Sequence, residues 1–275
     1  MSDVSNTKPN GFHGDDGLDR VRTAGAISIT PEMFEQLYLG PKNQVSGKLR
    51  ATFGNPAPIG LAGFILSTTP LSMVLLGWQG AGGISGVANV ASYIFLGGLL
   101  MVLGGVGEWI LGNTFPALVF LVFGGYWLSL GGTLIPGYGA YATYSTTGNP
   151  AEGLEEPEFF ATFAFFLVAM AMVCFVLAVA GLRTNVVLLG ILTLLVPTFA
   201  TLAASFFAAS KGKLGLSLTL QHAGGGVLFA VSMLGWYIFF AQVLLSVEFP
   251  FALPLGDLST LVSGRSIRTH GKSEV

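Results

Sequence analysis

Charged side chains are scarce in this chain. Asp, Glu, Lys and Arg make up 9% of its 275 residues, whereas soluble domains contain about 25%. The 12 basic and 14 acidic residues leave a formal net charge of -2, and no basic face of the kind that binds nucleic acid is visible. Hydrophobic residues make up 52% of the chain, and its mean hydropathy is +0.71. The composition therefore predicts an integral membrane protein with no nucleic-acid partner.

Cysteine is nearly absent, and the short motifs of common enzymes are missing. The single cysteine, Cys174, lies inside an apolar run. It therefore has no intramolecular disulfide partner and no metal-ligand spacing around it, and we expect it to face either the core or lipid. The sequence contains no HExxH, GxSxG, Walker or dinucleotide-binding motif, and it has no length for the nucleotide-binding domain of a pump. We therefore expect neither enzyme activity nor a metal or cofactor.

Long apolar runs are what the chain does contain. A membrane-spanning helix needs about 20 such residues, and six runs meet this requirement, at residues 54–77, 87–107, 113–135, 158–182, 186–209 and 217–247. The charged residues of this region all lie between the runs or at the edge of one. We therefore predict an all-α, six-helix transmembrane domain at residues 51–250, between an N-terminal tail (1–50) and a C-terminal tail (251–275).

The N-terminal tail lacks the apolar core of a signal peptide and is polar enough to be largely disordered. A short helix is expected at residues 31–39, either lying on the membrane surface or without a role. Basic residues near the spans favour cytosolic termini. Those on the predicted cytosolic side are Lys42, Lys48, Arg50, Arg183, Arg265 and Arg268, and those that dissent are Lys211 and Lys213.

Glycine is frequent, at 39 residues, and it is regularly placed. Gly97-Gly98 and Gly104-Gly105 lie seven residues apart on the second span, as do Gly124-Gly125 and Gly131-Gly132 on the third. Seven residues are about two helical turns, and small residues let membrane helices approach closely. The pattern predicts glycine seams that pack the helices, rather than a direct role in binding a substrate.

Ser and Thr hydroxyls occur along the spans, but few ionisable groups do, and such groups are often functional in a membrane. His222 is the one ionisable side chain well inside a predicted span; it either carries a proton or caps a sixth helix that begins later. Glu108 ends the second span and is followed by Asn113 and Thr114. It either pairs with Arg183 or the start of the third helix, or takes up a proton during transport. The spans hold no Lys or Arg cluster, which suits weak, repeated binding of a monocarboxylate.

The first span opens with two prolines, which remove two backbone donors. In lipid, freed backbone groups must be satisfied by protein or by water in a cavity. The segment is therefore either a rigid helix entrance or the lip of a polar pathway. It reads Asn55-Pro56-Ala57-Pro58-Ile59-Gly60-Leu61.

Four segments together resemble the acetate uptake transporter family, which includes the bacterial succinate–acetate permeases and the fungal acetate transporters. In chain order they are Asn55–Leu61, the sequence GNTF at Gly112–Phe115 after Glu108, the sequence FGGYWL at Phe123–Leu128, and LPLGD at Leu253–Asp257. The first segment is the most specific, and the four cover residues 53–257. The long N-terminal tail is similar to that of the fungal branch.

The resemblance implies a six-helix protomer that assembles as a hexamer in the plasma membrane, with an acetate pathway in each protomer. It implies proton symport or channel-like passage of acetate and other short monocarboxylates, with the substrate carboxylate met by Asn55 and the backbone of its motif. It also implies a hydrophobic constriction at Phe64 and Leu195, with Phe123 in place of the family's Tyr. Bacterial members have a Gln seven residues before the acid, where this chain has Met101. The Phe123 departure removes a hydroxyl and bears on substrate preference or rate, and the Met101 departure removes a polar contact of the bacterial members.

Two other functions stay open. A six-span protein of this kind can report acetate without moving it, acting as a sensor of acetic-acid adaptation. It can also export ammonium, with an indirect effect on acetate.

Overall fold

The computed structural model describes residues 49–82 and 84–259. The predicted helix at residues 31–39 lies outside these residues, as do nearly all of the N-terminal tail and the last part of the C-terminal tail. The described part is almost entirely helical, with one isolated bridge between Asn185 and Asp257. Six of its helices are long and apolar enough to cross a membrane. The predicted all-α, six-helix architecture is confirmed.

The six long helices are α1 (Ala57–Leu75), α2 (Ser85–Ile110), α3 (Thr114–Leu134), α4 (Pro157–Gly181), α5 (Val186–Ser210) and α6 (Leu214–Ser246). A four-residue helix, Leu49–Thr52, precedes α1, and three short 3-10 turns lie between α3 and α4. The largest departures from the predicted spans are at the ends of helices. For example, α6 begins at Leu214 rather than at residue 217, and α2 continues to Ile110 rather than to residue 107.

Local sequence signals set several helix ends. The Asn55 side chain lies just before α1, and its Oδ1 accepts a hydrogen bond from the backbone N–H of Ala57, the first residue of the helix, at 2.9 Å. Asn185 is the N-cap of α5, and its side chain accepts from the backbone N–H of Leu188 at 2.8 Å. Such hydrogen bonds satisfy backbone donors that have no partner in the first helical turn. Gly112 and Gly212 adopt positive φ angles of 79° and 69° in the short α2–α3 and α5–α6 turns, a conformation that glycine allows at little cost.

The helices pack in the order α4, α5, α6, α1, α2, α3, in which each helix packs mainly against the helices next to it in this order. The helices α1, α3 and α5 begin at one end of the bundle, which we call the Asn55 end. The helices α2, α4 and α6 begin at the other, which we call the His222 end. Within α2, residues Tyr93–Gly98 form a π-helical turn, so this helix is wider near the His222 end.

The glycine-seam packing is confirmed, and the glycines of α2 lie against both of its neighbours, α1 and α3. A Cβ added at Gly104 would lie 2.7 Å from the backbone N of Gly60 on α1. A Cβ added at Gly105 would lie 2.7 Å from the Leu121 side chain on α3. On α3, one glycine of each pair packs closely: a Cβ at Gly124 would lie 2.9 Å from the Val102 side chain, whereas a Cβ at Gly125 would have nothing within 4 Å. The α2 pairs therefore let one helix approach two others at once.

The bundle has a buried core and an apolar exterior. Cys174 is fully buried, so of its two expected positions it occupies the core and does not face lipid. On the outer surface, large apolar side chains such as Phe165 and Phe175 are more than 60% exposed. An exterior of this kind requires lipid, since large exposed apolar surfaces are unusual on soluble monomers.

Candidate functional site

Two small cavities lie inside the described part of the bundle, on either side of three apolar side chains. The Gln242 cavity, toward the Asn55 end, has a volume of about 50 Å³. The Thr68 cavity, toward the His222 end, has a volume of about 20 Å³. Phe64, Phe123 and Leu195 line both. Residues that line both cavities lie between them, so the three predicted constriction residues are brought together where one cavity ends and the next begins.

Each of these three side chains comes from a different helix, and all three are buried. Phe64 projects from α1, Phe123 from α3 and Leu195 from α5. The Phe64 ring is held against α6 at Gly235, where an added Cβ would lie 2.8 Å from Phe64 Cε1. The absence of a side chain at Gly235 thus creates the space that the Phe64 ring fills.

The wall of the Gln242 cavity is almost entirely apolar. It includes Met101, the position where the sequence departs from bacterial members of the family. Of the described residues that line the cavity, Gln242 on α6 is the single polar one. Its side chain is 2% exposed, and neither its Oε1 nor its Nε2 has a hydrogen-bond partner within the described part of the chain. The sequence pattern does not single out Gln242, because one amide near the end of a long apolar run resembles an interface residue.

The Thr68 cavity has two buried polar atoms with no hydrogen-bond partner among the described residues, Thr68 Oγ1 and Trp127 Nε1. Thr198, which also lines this cavity, behaves differently, because its hydroxyl donates to the Leu194 backbone oxygen at 2.8 Å. Thr68 Oγ1–H and Trp127 Nε1–H can therefore both donate a hydrogen bond to a small polar molecule.

A larger opening at the His222 end, which we call the His222 vestibule, has a volume of about 340 Å³. Leu202 lines both this vestibule and the Thr68 cavity. The vestibule wall mixes apolar side chains with the polar residues Ser205, Ser217 and Gln221. The two cavities and the vestibule thus follow one another along the bundle, with shared residues at each boundary.

His222 lies in the wall of the vestibule and is exposed. It is not at the start of α6, because this helix begins at Leu214. The expectation that the sixth helix begins later and that His222 caps it is therefore wrong. The polar side of the vestibule explains why an ionisable residue is tolerated at this depth in the sixth run.

The Asn55–Leu61 segment forms the start of α1, and most of its residues do not line a cavity. Pro56 and Ala57 are buried, and Asn55 and Pro58 are half-buried. Its packing partners are on α2 and α3. A Cβ at Gly107 would lie 2.5 Å from Pro56 Cβ, and a Cβ at Gly60 would lie 2.7 Å from the Phe120 ring. Within the segment, Leu61 is the residue that lines the Gln242 cavity.

Glu108 lies in the last turn of α2, two residues before the helix ends at Ile110, and is fully buried. Asn113 provides a hydrogen-bond partner for this buried side chain, its Nδ2 donating to Glu108 Oε2 at 2.6 Å. The Asn113 backbone N–H also donates to the Glu108 backbone oxygen at 2.8 Å. Thr114, the first residue of α3, is exposed. Glu108 and Asn113 thus join the end of α2 to the start of α3.

The sequence and the fold of this six-helix bundle are similar to those of known proteins. Residues 40–260 match the sequence profile of the GPR1/FUN34/yaaH family. The chain belongs to this family. The resemblance to acetate transporters that the four segments indicate is thereby confirmed, and the GPR1/FUN34/yaaH membership covers all six helices.

Several fungal relatives cover most of the chain. Protein alcS of Aspergillus fumigatus is 41% identical over 235 residues, which are 85% of this chain and 86% of alcS. The acetate transporter protein patA of Aspergillus clavatus is 28% identical, covering 89% of this chain and 97% of patA. The ammonia transport outward protein 2 of Saccharomyces cerevisiae is also 28% identical, covering 92% of this chain and 89% of that protein.

Among solved structures, the chain is similar to the bacterial acetate channel SatP, with a TM-score of 0.56 and 24% sequence identity. The similarity covers 74% of this chain and 99% of SatP. At this level of identity it shows a shared fold. Together with the six apolar helices, the family and the fold establish a multi-pass membrane protein.

Proposed function

We propose that this protein moves acetate and other short monocarboxylates across the plasma membrane, as a proton-linked transporter or channel. The observation that carries this proposal is the position of Phe64, Phe123 and Leu195 between the Gln242 and Thr68 cavities. The three side chains act as the hydrophobic constriction of a pathway that ends at the His222 vestibule. The relative patA, named as an acetate transporter, supports acetate as the substrate.

The sizes of the cavities suit a very small substrate. A single water molecule needs a cavity volume of roughly 10–15 Å³. The Gln242 cavity, at about 50 Å³, thus has room for acetic acid, a molecule of two carbon and two oxygen atoms. The Thr68 cavity, at about 20 Å³, must widen as the acid enters. Longer or dicarboxylic acids require larger movements of the same aromatic side chains, so the pathway favours short monocarboxylates.

The chemistry of the constriction favours passage of the acid together with a proton. A carboxylate between three apolar side chains would lose its hydration without gaining a partner, and a buried unpaired charge is far more costly than a buried neutral group. The neutral acid avoids most of this cost. We propose that His222, exposed in the vestibule, exchanges protons with water there, and that Glu108 and Asn113 hold the α2–α3 turn.

The proposal includes a hexameric assembly, cytosolic termini and a location in the plasma membrane, each with the support of the family resemblance or of the basic residues near the spans. In this orientation the Asn55 end faces the cytosol and the His222 vestibule faces outward. Asn55, Pro56, Ala57, Pro58 and Gly60 then form the cytosolic entrance of α1, with Leu61 at the mouth of the pathway.

Reconstitution in liposomes tests the proposal directly. Purified protein in vesicles that enclose a pH-sensitive dye should acidify the lumen faster than empty vesicles after an acetate pulse at matched lipid content. A rate equal to that of empty vesicles, with the protein shown to be inserted, would contradict transport and favour the sensor function.

Export of ammonia is a second candidate, favoured by the name of the yeast relative ammonia transport outward protein 2. Apolar cavities that each hold two polar atoms without a hydrogen-bond partner among the described residues also accommodate a small neutral base. In the same vesicles, an ammonium pulse should raise the luminal pH faster than in empty vesicles if ammonia uses this pathway. An acetate response without an ammonium response would leave acetate as the substrate.

A further inference from the structure

The buried amide of Gln242 has an energetic cost that the folded chain does not offset by itself. Both polar atoms of the side chain are buried, and neither has a hydrogen-bond partner within the described residues. A buried polar group without a partner is destabilising, whereas an apolar side chain of the same shape avoids that penalty. Most buried polar groups in native proteins do have partners, so an amide that lacks them points to a partner that is present only part of the time.

The position of Gln242 indicates what this partner is. The residue lies near the end of α6, and it shares its cavity with Phe64, Phe123 and Leu195. A molecule that has just passed these side chains, or is about to pass them, occupies the Gln242 cavity. The other residues around it, such as Met101 and Val119, are apolar. A polar group of a small ligand in this cavity therefore finds Gln242 as its hydrogen-bond partner.

An amide and a neutral carboxylic acid are complementary. The amide Nε2 donates hydrogen bonds and its Oε1 accepts them, while the acid offers one carbonyl acceptor and one O–H donor. Both atoms of Gln242 that lack a partner are then satisfied by one ligand group. A carboxylate anion satisfies Nε2 but leaves Oε1 facing a negative charge. None of the described residues that line this cavity is titratable, so no side chain there offsets the charge of the anion.

We propose that Gln242 binds the carboxyl group of the transported acid in its neutral form, through paired hydrogen bonds. This inference rests on the proposed function, whose substrate it specifies. Met101, on the helix facing the same cavity, has a thioether that cannot make this pair. The amide that recognises the acid is thus carried by α6.

The first test compares Gln242→Met with Ser232→Ala. Met has nearly the shape of Gln and no hydrogen-bonding amide. Ser232 is a fully buried polar residue of the same helix whose hydroxyl bonds its own backbone, at the Phe229 oxygen, and it does not line either cavity. In vesicles at acidic pH, Gln242→Met should raise the KM for acetate roughly three- to tenfold, the effect of losing a hydrogen-bonded contact to a neutral ligand. Ser232→Ala should keep the wild-type KM.

The second test measures thermal unfolding in detergent, which does not depend on transport. Without acetate, Gln242→Met should be at least as stable as wild type, because the amide has no partner to lose. Acetate at acidic pH should raise the Tm of wild type and of Ser232→Ala, and should leave that of Gln242→Met unchanged. A second apolar variant, Gln242→Leu, replaces Gln242→Met if the latter does not elute as a single species.

Three results separate the outcomes. Wild-type KM and wild-type stabilisation by acetate in the Gln242 variants would overturn the role of Gln242 while leaving transport intact. A lower Tm of these variants without acetate would also overturn it, since the amide would then have a structural partner. Stabilisation by acetate that depends on Gln242, in a protein that moves no acetate, would support the binding site and refute the transport function.

Discussion

Gly235 of α6 lies directly against the ring of Phe64 on α1, close enough that an added Cβ would come within 2.8 Å of Phe64 Cε1 and 3.0 Å of Ile65 Cγ2. Real Cβ atoms do not approach other atoms so closely, so any side chain at position 235 must displace the ring. Because Phe64 lies between the two cavities, the packing of a residue outside both cavities sets the position of the proposed constriction.

Replacement of Gly235 with Ala should therefore change transport more than folding. Overpacking of this kind costs about 1–3 kcal/mol, and the Phe64 ring can shift toward Phe123 and narrow the pathway. We expect acetate flux to fall several-fold while the yield of inserted protein is largely kept. Gly125→Ala is the matched control, since a Cβ there meets nothing within 4 Å. Equal acetate flux in both variants would show that the Phe64 ring does not limit passage.

Truncation of Phe64 should act in the opposite direction. Phe64→Ala removes a buried ring from between the two cavities and joins them, at a cost of about 3–5 kcal/mol in stability. We expect the flux of lactate or succinate to rise relative to that of acetate. Phe95→Ala, at a side chain that is 63% exposed on the outer surface, controls for the loss of a ring. A wild-type ratio of fluxes for Phe64→Ala would contradict the constriction.

Substitution in the α2 seam should separate packing from pathway. Gly105→Leu drives a side chain into Leu121 of α3, 2.7 Å from the position of its Cβ, and should lower the yield and the Tm of the purified protein. Gly125→Leu, on a glycine with open space around it, should keep both near wild type. If Gly105→Leu is produced at wild-type yield with an unchanged Tm, the close α2–α3 approach is not needed for folding.

The α2–α3 turn offers a test of the buried acid. Asn113→Ala removes the donor to Glu108 Oε2. The loss of a hydrogen bond to a buried carboxyl group costs roughly 1.5–3 kcal/mol, so the Tm should fall by several degrees. Thr114→Ala, at an exposed neighbouring residue, is the control. A Tm equal to that of the control would mean that Glu108 does not depend on Asn113.

The Asn55 side chain should matter for stability rather than for binding the acid. Its Oδ1 already accepts from the Ala57 N–H, and the loss of such a bond at the start of a helix costs about 1 kcal/mol. We expect Asn55→Ala to lower the yield, Asn55→Ser to restore it, and the uptake per inserted molecule to stay at the wild-type level in both. A fall in uptake per molecule with an unchanged yield would instead place Asn55 in contact with the acid.

Hydropathy predicts the six helices because each crosses the bilayer alone, and a helix in lipid satisfies its own backbone. The seven-residue glycine spacing likewise predicts the seams. It does not predict that Gly104 faces α1 and Gly105 faces α3, because that division depends on which helices become neighbours. The residues Phe64, Phe123 and Leu195 are found through resemblance, and their convergence from three helices is a tertiary fact that no local pattern contains.

Glu108 and Gln242 show why part of the site is not visible in the sequence. A charge at the end of an apolar run usually marks a break, but Glu108 lies buried in the last turn of α2, with Asn113 as a hydrogen-bond partner. Gln242 looks like an ordinary interface residue until the helices around it leave its amide without a partner. In both cases the decisive quantity is whether a polar atom finds a partner, which only the packed structure reveals.

The Thr68 cavity is bounded on one side by Phe64, Phe123 and Leu195 and on the other by Leu202, which opens onto the vestibule. A cavity of about 20 Å³ admits one small substrate molecule at a time, so molecules must pass through it one after another. The rate of uptake should then saturate as the acid concentration rises. Two different short acids supplied together should each slow the uptake of the other, because both must occupy the same cavity.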